Sequence, residues 1–416
     1  MGRLKSRLRW IVSQLPIVSK TPHVRSRRWA EPSWLPWAAR HATPKSRNVQ
    51  RPLGRYIDYY ARPATYSTGG VNPSREMWIE ALAGLSSHTR VLTPTAGHIP
   101  RLAGNENLSL TSIRHLGSGR QSMIPVGLSQ HLTEGDTLII HEGWTTSNLI
   151  AGWLANRCRI PYVVLAHGVY APEIRHNLRW GKVRTRFERR LLERASAVHV
   201  FFEGEVQGVV DIAPNAHLLV APTGVREIGN VQWEGGGGYI AWMGRFDIHH
   251  KGLDILVRAL AEISPTERPT IEMRGPDHRG DKARLCAIVA GLGLAQWINV
   301  GDELRGADRW EFYRQADAVV HPARWESYGQ SIVEAMVLGA PVLVSKAAQI
   351  SSIFEHGREI YLFEPDVDGM ARGLRAAGRA DLMRTIAENG RIACLERLSW
   401  KKATDRYVQH FTRSSE

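Results

Sequence analysis

Two glutamates, Glu326 and Glu334, bracket seven residues in Trp325-Glu326-Ser327-Tyr328-Gly329-Gln330-Ser331-Ile332-Val333-Glu334, with a glycine turn between them and a helical pattern beginning near Ser331. Upstream, Met243-Gly244-Arg245-Phe246 ends an apolar run, and six residues past Arg245 comes Lys251-Gly252 opening a helix. An arginine gives planar bidentate contacts, a lysine a compact point charge and a helix start oriented N–H groups, so this spacing suits a diphosphate. Each pair alone also occurs as solvated cap residues. Their chemistry depends on elements that bring them together.

Those elements read as alternating strands and helices from Tyr56 onward. Short β-branched runs predict strands at Arg90–Leu92, Thr137–Ile140, Tyr162–Leu165, Ala197–Val200 and His217–Val220, separated by helices over Ser74–Leu85, Ser147–Arg157 and Arg179–Arg194. Glu234 through Gly238 is a glycine run that reads as a flexible joint. The alternation then restarts with strands at Tyr239–Met243, Thr270–Met273, Asp317–His321 and Pro341–Val344, and helices at Leu253–Ile263, Lys282–Leu292 and Ser331–Leu338. The pattern predicts an α/β protein of two Rossmann-like, doubly wound domains facing across a cleft. The boundaries are an extension 1–55, an N-terminal domain 56–232, a linker 233–238, a C-terminal domain 239–395 and a terminal helix 396–416 that crosses back.

The segment from Glu326 to Glu334, continued by Ala335-Met336-Val337-Leu338-Gly339-Ala340-Pro341, closely resembles the Glu-x-seven-Glu signature of the retaining glycosyltransferases of family four, which have the GT-B fold. The resemblance extends from about Tyr56 to Phe411. Gly69-Gly70-Val71 looks like the family's N-terminal glycine loop, Ala166-His167-Gly168 its histidine turn, Thr223-Gly224-Val225 its Asn-Gly-Val turn with Thr for Asn, and Ser399-Trp400 the start of its terminal helix.

The resemblance implies a nucleotide-diphosphate sugar as donor, of UDP or GDP type, a glycan or lipid-linked acceptor, and retention of anomeric configuration with no cofactor required. Arg245 and Lys251 would neutralise the donor diphosphate, Gly70 and the amides of Gln330, Ser331 and Ile332 would donate to the same phosphates, and Glu334 would hold the ribose hydroxyls. Glu326 would face hydroxyls of the transferred sugar, and His167 would contact that sugar near its reacting carbon. The turn Met273-Arg274-Gly275-Pro276-Asp277 falls where the family has a Gly-x-Gly near base and ribose, so Gly275 keeps its place and Arg274 departs from the pattern.

No metal is expected. Asp366-Val367-Asp368 precedes a helical stretch and reads as an N-cap with a first-turn acid, and His249-His250 reads as an exposed loop pair. His141-Glu142-Gly143-Trp144 ends a strand at the cleft edge and fits either an acceptor site or an ordinary turn. Cys158, Cys286 and Cys394 are scattered and odd in number, which excludes a disulfide framework and reads as small core residues in a reducing cytoplasm.

The chain has 54 Lys and Arg against 40 Asp and Glu, a formal +14. Thirteen of the cations and one acid lie in residues 1–55, so the remaining body is nearly neutral. A nucleic-acid reader would carry its basic stripe on the folded domain, so nucleic acid is not expected as a partner. Leu4, Leu8, Ile11 and Leu15 fall between Arg3, Lys5, Arg7 and Arg9 at helical spacing, and Trp29, Trp34 and Trp37 follow among prolines. That composition suits peripheral attachment of residues 1–55 to an anionic inner membrane face, and equally an organellar transit peptide or a solvated tail. An epimerase or a non-catalytic sugar-nucleotide or membrane binder of the same architecture is the alternative function.

Overall fold

A computed structural model describes residues 54–61, 71–94, 107–117, 119, 121–175, 181–225, 228 and 231–413. The N-terminal extension up to residue 53, and with it the candidate membrane-attachment segment, lies outside the described residues, as does Gly70.

The first half builds a seven-stranded parallel sheet from β1 (Arg55–Tyr59), β2 (His88–Thr93), β3 (Leu108–Ser112), β6 (Asp136–His141), β7 (Tyr162–Leu165), β8 (Ala197–Val200) and β9 (Leu218–Val220), in the order β3-β2-β1-β6-β7-β8-β9. Between β3 and β6 a short antiparallel pair, β4 (His115–Leu116) and β5 (Ile124–Pro125), stands apart. The helices are α1 (Val71–Ala83), α2 (Thr146–Arg157), α3 (Pro172–Arg175), α4 (Gly181–Glu193) and α5 (Val206–Val210). Every residue of β6, β7 and β8 is buried, as central parallel strands covered on both faces must be.

The second half repeats the plan with β10 (Ile240–Met243), α6 (Leu253–Ala261), β11 (Ile271–Arg274), α7 (Asp281–Gly291), β12 (Ile298–Gly301), α8 (Gly306–Gln315), β13 (Ala318–His321), α9 (Gln330–Leu338), β14 (Val342–Ser345), β15 (Tyr361–Phe363), α10 (Val367–Ala377) and α11 (Ala380–Arg397). Its order is β12-β11-β10-β13-β14-β15, all parallel. The chain therefore reverses direction across the sheet between β1 and β6 in the first domain and between β10 and β13 in the second. Ligands of such sheets sit beyond the strand carboxyl ends at these switch points.

The last helix, α12 (Trp400–Arg413), returns to the first sheet. Arg406 donates to the Val220 carbonyl at 2.6 Å, and the Tyr407 hydroxyl donates to His199 Nδ1 at 2.8 Å. Gly224 makes this docking possible, because a Cβ there would sit 2.4 Å from the Trp400 indole.

Three local expectations differ from the structure. The glycine run is held, not loose. The amides of Glu234 and Gly235 donate to the Arg314 carbonyl at 2.9 and 3.0 Å, and that of Gly236 to Asp317 Oδ1 at 2.8 Å. Cys286 is exposed on α7, whereas Cys394 is buried as a core residue. His250 is not an exposed loop residue; its ring stacks on Trp325 at 4.1 Å and its Nε2 donates to the Trp325 carbonyl at 3.0 Å. Asp366 does cap α10, accepting from the Gly369 amide at 2.7 Å.

Candidate functional site

At the switch point of the second sheet, the turns after β10 and β13 face each other. Gly275 permits close approach of the turn after β11, since a Cβ there would lie 1.7 Å from the Gly244 carbonyl oxygen. Arg245 follows Gly244 and donates to Asp247 Oδ2 at 3.0 Å. The loop closes when the Lys251 amide donates to the Asp247 carbonyl at 2.9 Å. Gly252 then enters α6 with φ +63° and a virtual Cβ 1.9 Å from the Pro322 carbonyl oxygen, so only glycine fits between the two turns.

This packing delivers the Lys251 ammonium to Glu326, with which it forms an ion pair through Oε2. His321, the last residue of β13, donates from Nε2 to the same oxygen at 3.2 Å. Its Nδ1 lies 3.3 Å from the Ser331 hydroxyl, which donates to it. Burial works against ionising Glu326, but Lys251, His321 and His250 outweigh it and hold the carboxyl well below the usual range. Burial lowers His321, further favouring a neutral ring. Gly329, with φ +69°, turns the chain into α9, so the first-turn amides of Gln330 and Ser331 lie at this same point, whereas that of Ile332, expected to face the phosphates, donates to the Gly329 carbonyl at 2.9 Å. Arg324, beside Glu326, is locked to Asp254 by two bonds of 2.7 and 2.8 Å.

Glu334 lies one turn further along α9 and is ion-paired with Arg309 of α8. Arg309 lies 25 positions upstream with no spacing that ties it to Glu334, so sequence reasoning had no signal for it.

Across the cleft, His167 follows β7 in the left-handed region at φ +51°, and Gly168 at +75°. A Cβ on Gly168 would sit 2.6 Å from that of Ser327, so the histidine turn meets the glutamate segment here. His167 Nε2 is 2.9 Å from His141 Nδ1, and His141 Nε2 is 2.5 Å from Asp58 Oδ2. Arg75 donates from Nε to Asp58 Oδ1 at 2.5 Å, and the Tyr56 hydroxyl to Oδ2 at 3.1 Å. Burial raises the Asp58 carboxyl, but Arg75 and His141 overcome it and the net shift is downward. A carboxylate only accepts, so His141 must donate from Nε2. Its Nδ1 meets His167 Nε2 in the next bond of the relay, which fixes the plane of His167.

Sequence reasoning missed Asp58 and Arg75 because β1, Arg-Tyr-Ile-Asp-Tyr, is too polar to read as a central strand. It left the His141 turn open; the structure commits His141 to this relay, while the Trp144 amide donates to Glu188 Oε1 at 2.9 Å.

Between the two turns lies a cavity of about 210 Å³, walled by Gly168 and Tyr170 on one side and Arg324, Glu326 and Gln349 on the other. It adjoins the cationic loop of Arg245 and Lys251 and does not include it. Glu205 also lines it, accepting from the Ser327 hydroxyl and from the Phe201 amide at 3.3 Å. Burial lifts its carboxyl to about 7. Among the described residues no group of three His, Cys, Asp or Glu could hold a metal ion, and no helix is long and apolar enough to cross a membrane.

The chain matches the sequence model of Glycosyl transferases group 1 over residues 237–377 and that of the Glycosyl transferase 4-like domain over 69–224. It is 28% identical over 303 residues to 2-deoxystreptamine glucosyltransferase of Streptomyces kanamyceticus, covering 63% of this chain and 77% of that protein. It is 27% identical over 164 residues to an uncharacterized glycosyltransferase, MJ1607, of Methanocaldococcus jannaschii, covering 39% of this chain and 41% of that one. The chain thus spans only about two fifths of the latter relative's length. Among solved structures, Anabaena HepE in complex with UDP and glucose superposes with a TM-score of 0.69 at 19% identity, covering 88% of this chain and 100% of that one. WaaG, a glycosyltransferase involved in lipopolysaccharide biosynthesis, superposes with a TM-score of 0.63 at 15% identity, over 86% of this chain and 99% of that one. At these identities the superpositions speak to fold alone. The paired sheets, the switch-point turns and the two family matches agree, and the chain belongs to the family-four, group 1 glycosyltransferases of GT-B fold.

Proposed function

We propose that this protein transfers a sugar from a nucleotide-diphosphate donor, of UDP or GDP type, to a glycan or lipid-linked acceptor with retention of anomeric configuration. The observation that carries the reading is the cluster Lys251, Glu326, His321 and Ser331 at the second switch point, directly across from the His167 turn. Arg245 and Lys251 take the donor diphosphate, whose charge grows as the glycosidic bond breaks, together with the Gly70 amide and those of Gln330 and Ser331. Fixed cations and N–H groups aimed at developing charge commonly supply more of the rate enhancement than any other single effect. Glu334 binds the ribose hydroxyls, Gly275 leaves room for ribose and base, Glu326 accepts from hydroxyls of the transferred sugar, and His167 contacts that sugar near its reacting carbon. The leaving phosphate takes the acceptor proton on the same face, so no enzyme nucleophile is needed and no metal or cofactor enters.

The acceptor sits on the side of the first domain. Relatives of the chain are named 2-deoxystreptamine glucosyltransferase, lipopolysaccharide core biosynthesis mannosyltransferase and D-inositol 3-phosphate glycosyltransferase, names that support a polyhydroxylated acceptor. Residues 1–55 rest on an anionic membrane and bring the enzyme to a membrane-presented acceptor.

Incubating the protein with UDP- and GDP-sugars and a membrane extract should release nucleoside diphosphate, and the product's anomeric proton coupling should match the donor's. No release with any donor would refute the transferase reading, and an inverted product would refute retention.

A further inference from the structure

The outer face of the first domain carries large apolar side chains in water. Val183 and Phe187 of α4 are 63% and 56% exposed, and Trp153 of the neighbouring α2 is 59% exposed. Val183, Phe187 and Arg190 recur at spacings of four and three, so they form one stripe along the helix, turned away from its buried Glu188 and Leu192. Lys182, Arg186 and Arg189 flank the stripe and are exposed. On α2 the Arg157 guanidinium lies 6.0 Å from the Trp153 ring centroid. The two helices are neighbours, packed closely where Gly152 lets Leu191 approach.

We propose that this α2–α4 face is a docking surface for an anionic lipid bilayer, with Phe187, Val183 and Trp153 entering the headgroup region and the surrounding Lys and Arg side chains meeting lipid phosphates. Charge complementarity selects this occupant. The outward side of α4 carries the acid Glu193, held by Arg189 at 2.9 Å, against its row of cations. Isolated aromatic and branched side chains rimmed by long cations are the composition of an interfacial helix, whereas protein interface cores are depleted of charge. The basic sequence of residues 1–55 has the same sign of charge, so it favours the same anionic surface and does not complement this face.

The inner side of α4 gives the docking a consequence. Glu188 accepts from the Trp144 amide at 2.9 Å and from the Tyr170 hydroxyl at 2.7 Å, and Arg184 donates to the Trp144 carbonyl. One helix therefore ties the turns after β6 and β7, at the acceptor side of the cleft, to the bilayer-facing surface. Only this consequence, delivery of a membrane-presented acceptor to the cleft, rests on the proposed transferase function.

The test uses the full chain with Cys158 and Cys286, the two thiols that are not buried, changed to Ser and an environment-sensitive fluorophore on Phe187→Cys. Vesicles containing phosphatidylglycerol should shift its emission to the blue, and pure phosphatidylcholine vesicles should not. The same fluorophore on Ile392→Cys, a position 58% exposed on α11, should stay unchanged. Replacing Arg186 and Arg190 together by Gln should weaken vesicle partitioning by about 30-fold. An unchanged Phe187→Cys signal on vesicles that pellet the protein would assign attachment to the extension and overturn the proposal, as would an equal response to neutral vesicles. A shift that grows with protein concentration without vesicles would make the face a self-association site and overturn it too. Nucleoside diphosphate release with a soluble acceptor is read separately, so failure of this face leaves the transferase reading standing.

Discussion

Replacing Asp58 by Asn separates what the buried relay does for stability from what it does for His167. Asp58 is wholly buried and Arg75 is 5% exposed, and the pair is joined at 2.5 Å. Removing one partner of such a pair leaves a buried charge uncompensated, which costs about 3–5 kcal/mol. Two contacts soften the loss: the Arg75 guanidinium lies 5.2 Å from the Tyr60 ring centroid, and an Asn oxygen can still accept one bond. The expected destabilisation of Asp58→Asn is therefore about 3 kcal/mol, read by urea unfolding of the full chain. Adding Arg75→Met removes the stranded charge. The double variant should recover about 2 kcal/mol relative to the sum of the single losses.

Activity should not recover with stability. In the double variant no carboxylate holds His141 Nε2–H, so the relay no longer fixes the plane of His167. Transfer should remain at least about tenfold below wild type, equal to about 1.4 kcal/mol of lost transition-state stabilisation. The assay is nucleoside diphosphate release at saturating donor and acceptor. If stability losses simply add, the buried pair is not coupled as its geometry says. If the stable double variant turns over normally, the Asp58–His141 pair does not position His167.

Lys251→Ala should lower transfer by about 10²–10³-fold, as loss of one charge-stabilising donor does, while near-UV circular dichroism stays native because Lys251 sits on a turn. Near-normal turnover would remove it from the mechanism. Gly252→Ala places a Cβ 1.9 Å from the Pro322 carbonyl in a left-handed backbone, and should destabilise by about 3 kcal/mol or more in thermal unfolding. Glu205 is raised from 4.5 to about 7 by burial, so the folded state holds its proton more tightly than the unfolded chain does. Stability from this group is full below pH 4.5 and falls as pH rises to about 7, by at most about 3 kcal/mol. Glu205→Gln keeps an acceptor for Ser327 and should flatten that slope in urea titrations; an unchanged slope would refute the assignment. His199 is lowered by burial to about 3, so its contribution, present above pH 6.5, is lost as pH falls toward 3, and a buried-histidine replacement should reduce that acid sensitivity in the same titration.

The parts of the fold that were legible in the sequence are those whose residues face one environment. β7, and β14 up to its final Ser345, are apolar runs because both of their faces are covered, and the chain shows them directly. β1 was illegible for the opposite reason: a central strand that carries Asp58 and two tyrosines hides its burial behind polar side chains that only the packing satisfies. β12 and β15 are short edge strands of three or four residues, below what periodicity resolves. The site divides the same way. Lys251 and Glu326 stood out because each begins or precedes a helix after a strand, a local pattern. Arg309, Asp58 and Glu205 did not, because each acquires its partner only when elements 17 to 122 residues apart meet, as in Asp58 with Arg75 and Glu205 with Ser327. The glycine run misled for a related reason: its composition is that of a free linker, but its amides are consumed by the end of α8.

Four cations at the second switch point share one property that bears on how a donor is admitted. Arg245 is held by Asp247, Lys251 by Glu326, Arg309 by Glu334 and Arg324 by Asp254. A diphosphate brings several acceptor oxygens and about two negative charges, so it competes with a carboxylate for Arg245 and Lys251. In doing so it frees Glu326 from its ammonium partner. A released Glu326, still bonded to His321, then needs new donors, and the hydroxyls of a sugar attached to that diphosphate can supply them. A bare phosphate would take the lysine and leave Glu326 stranded, whereas the intact donor satisfies both. On the proposed function, discrimination for the whole nucleotide sugar would arise from the exchange itself. Glu326→Gln should narrow the difference in affinity between nucleoside diphosphate and its sugar conjugate, measured by calorimetry; if the difference is unchanged, the ion pair is not the selecting element.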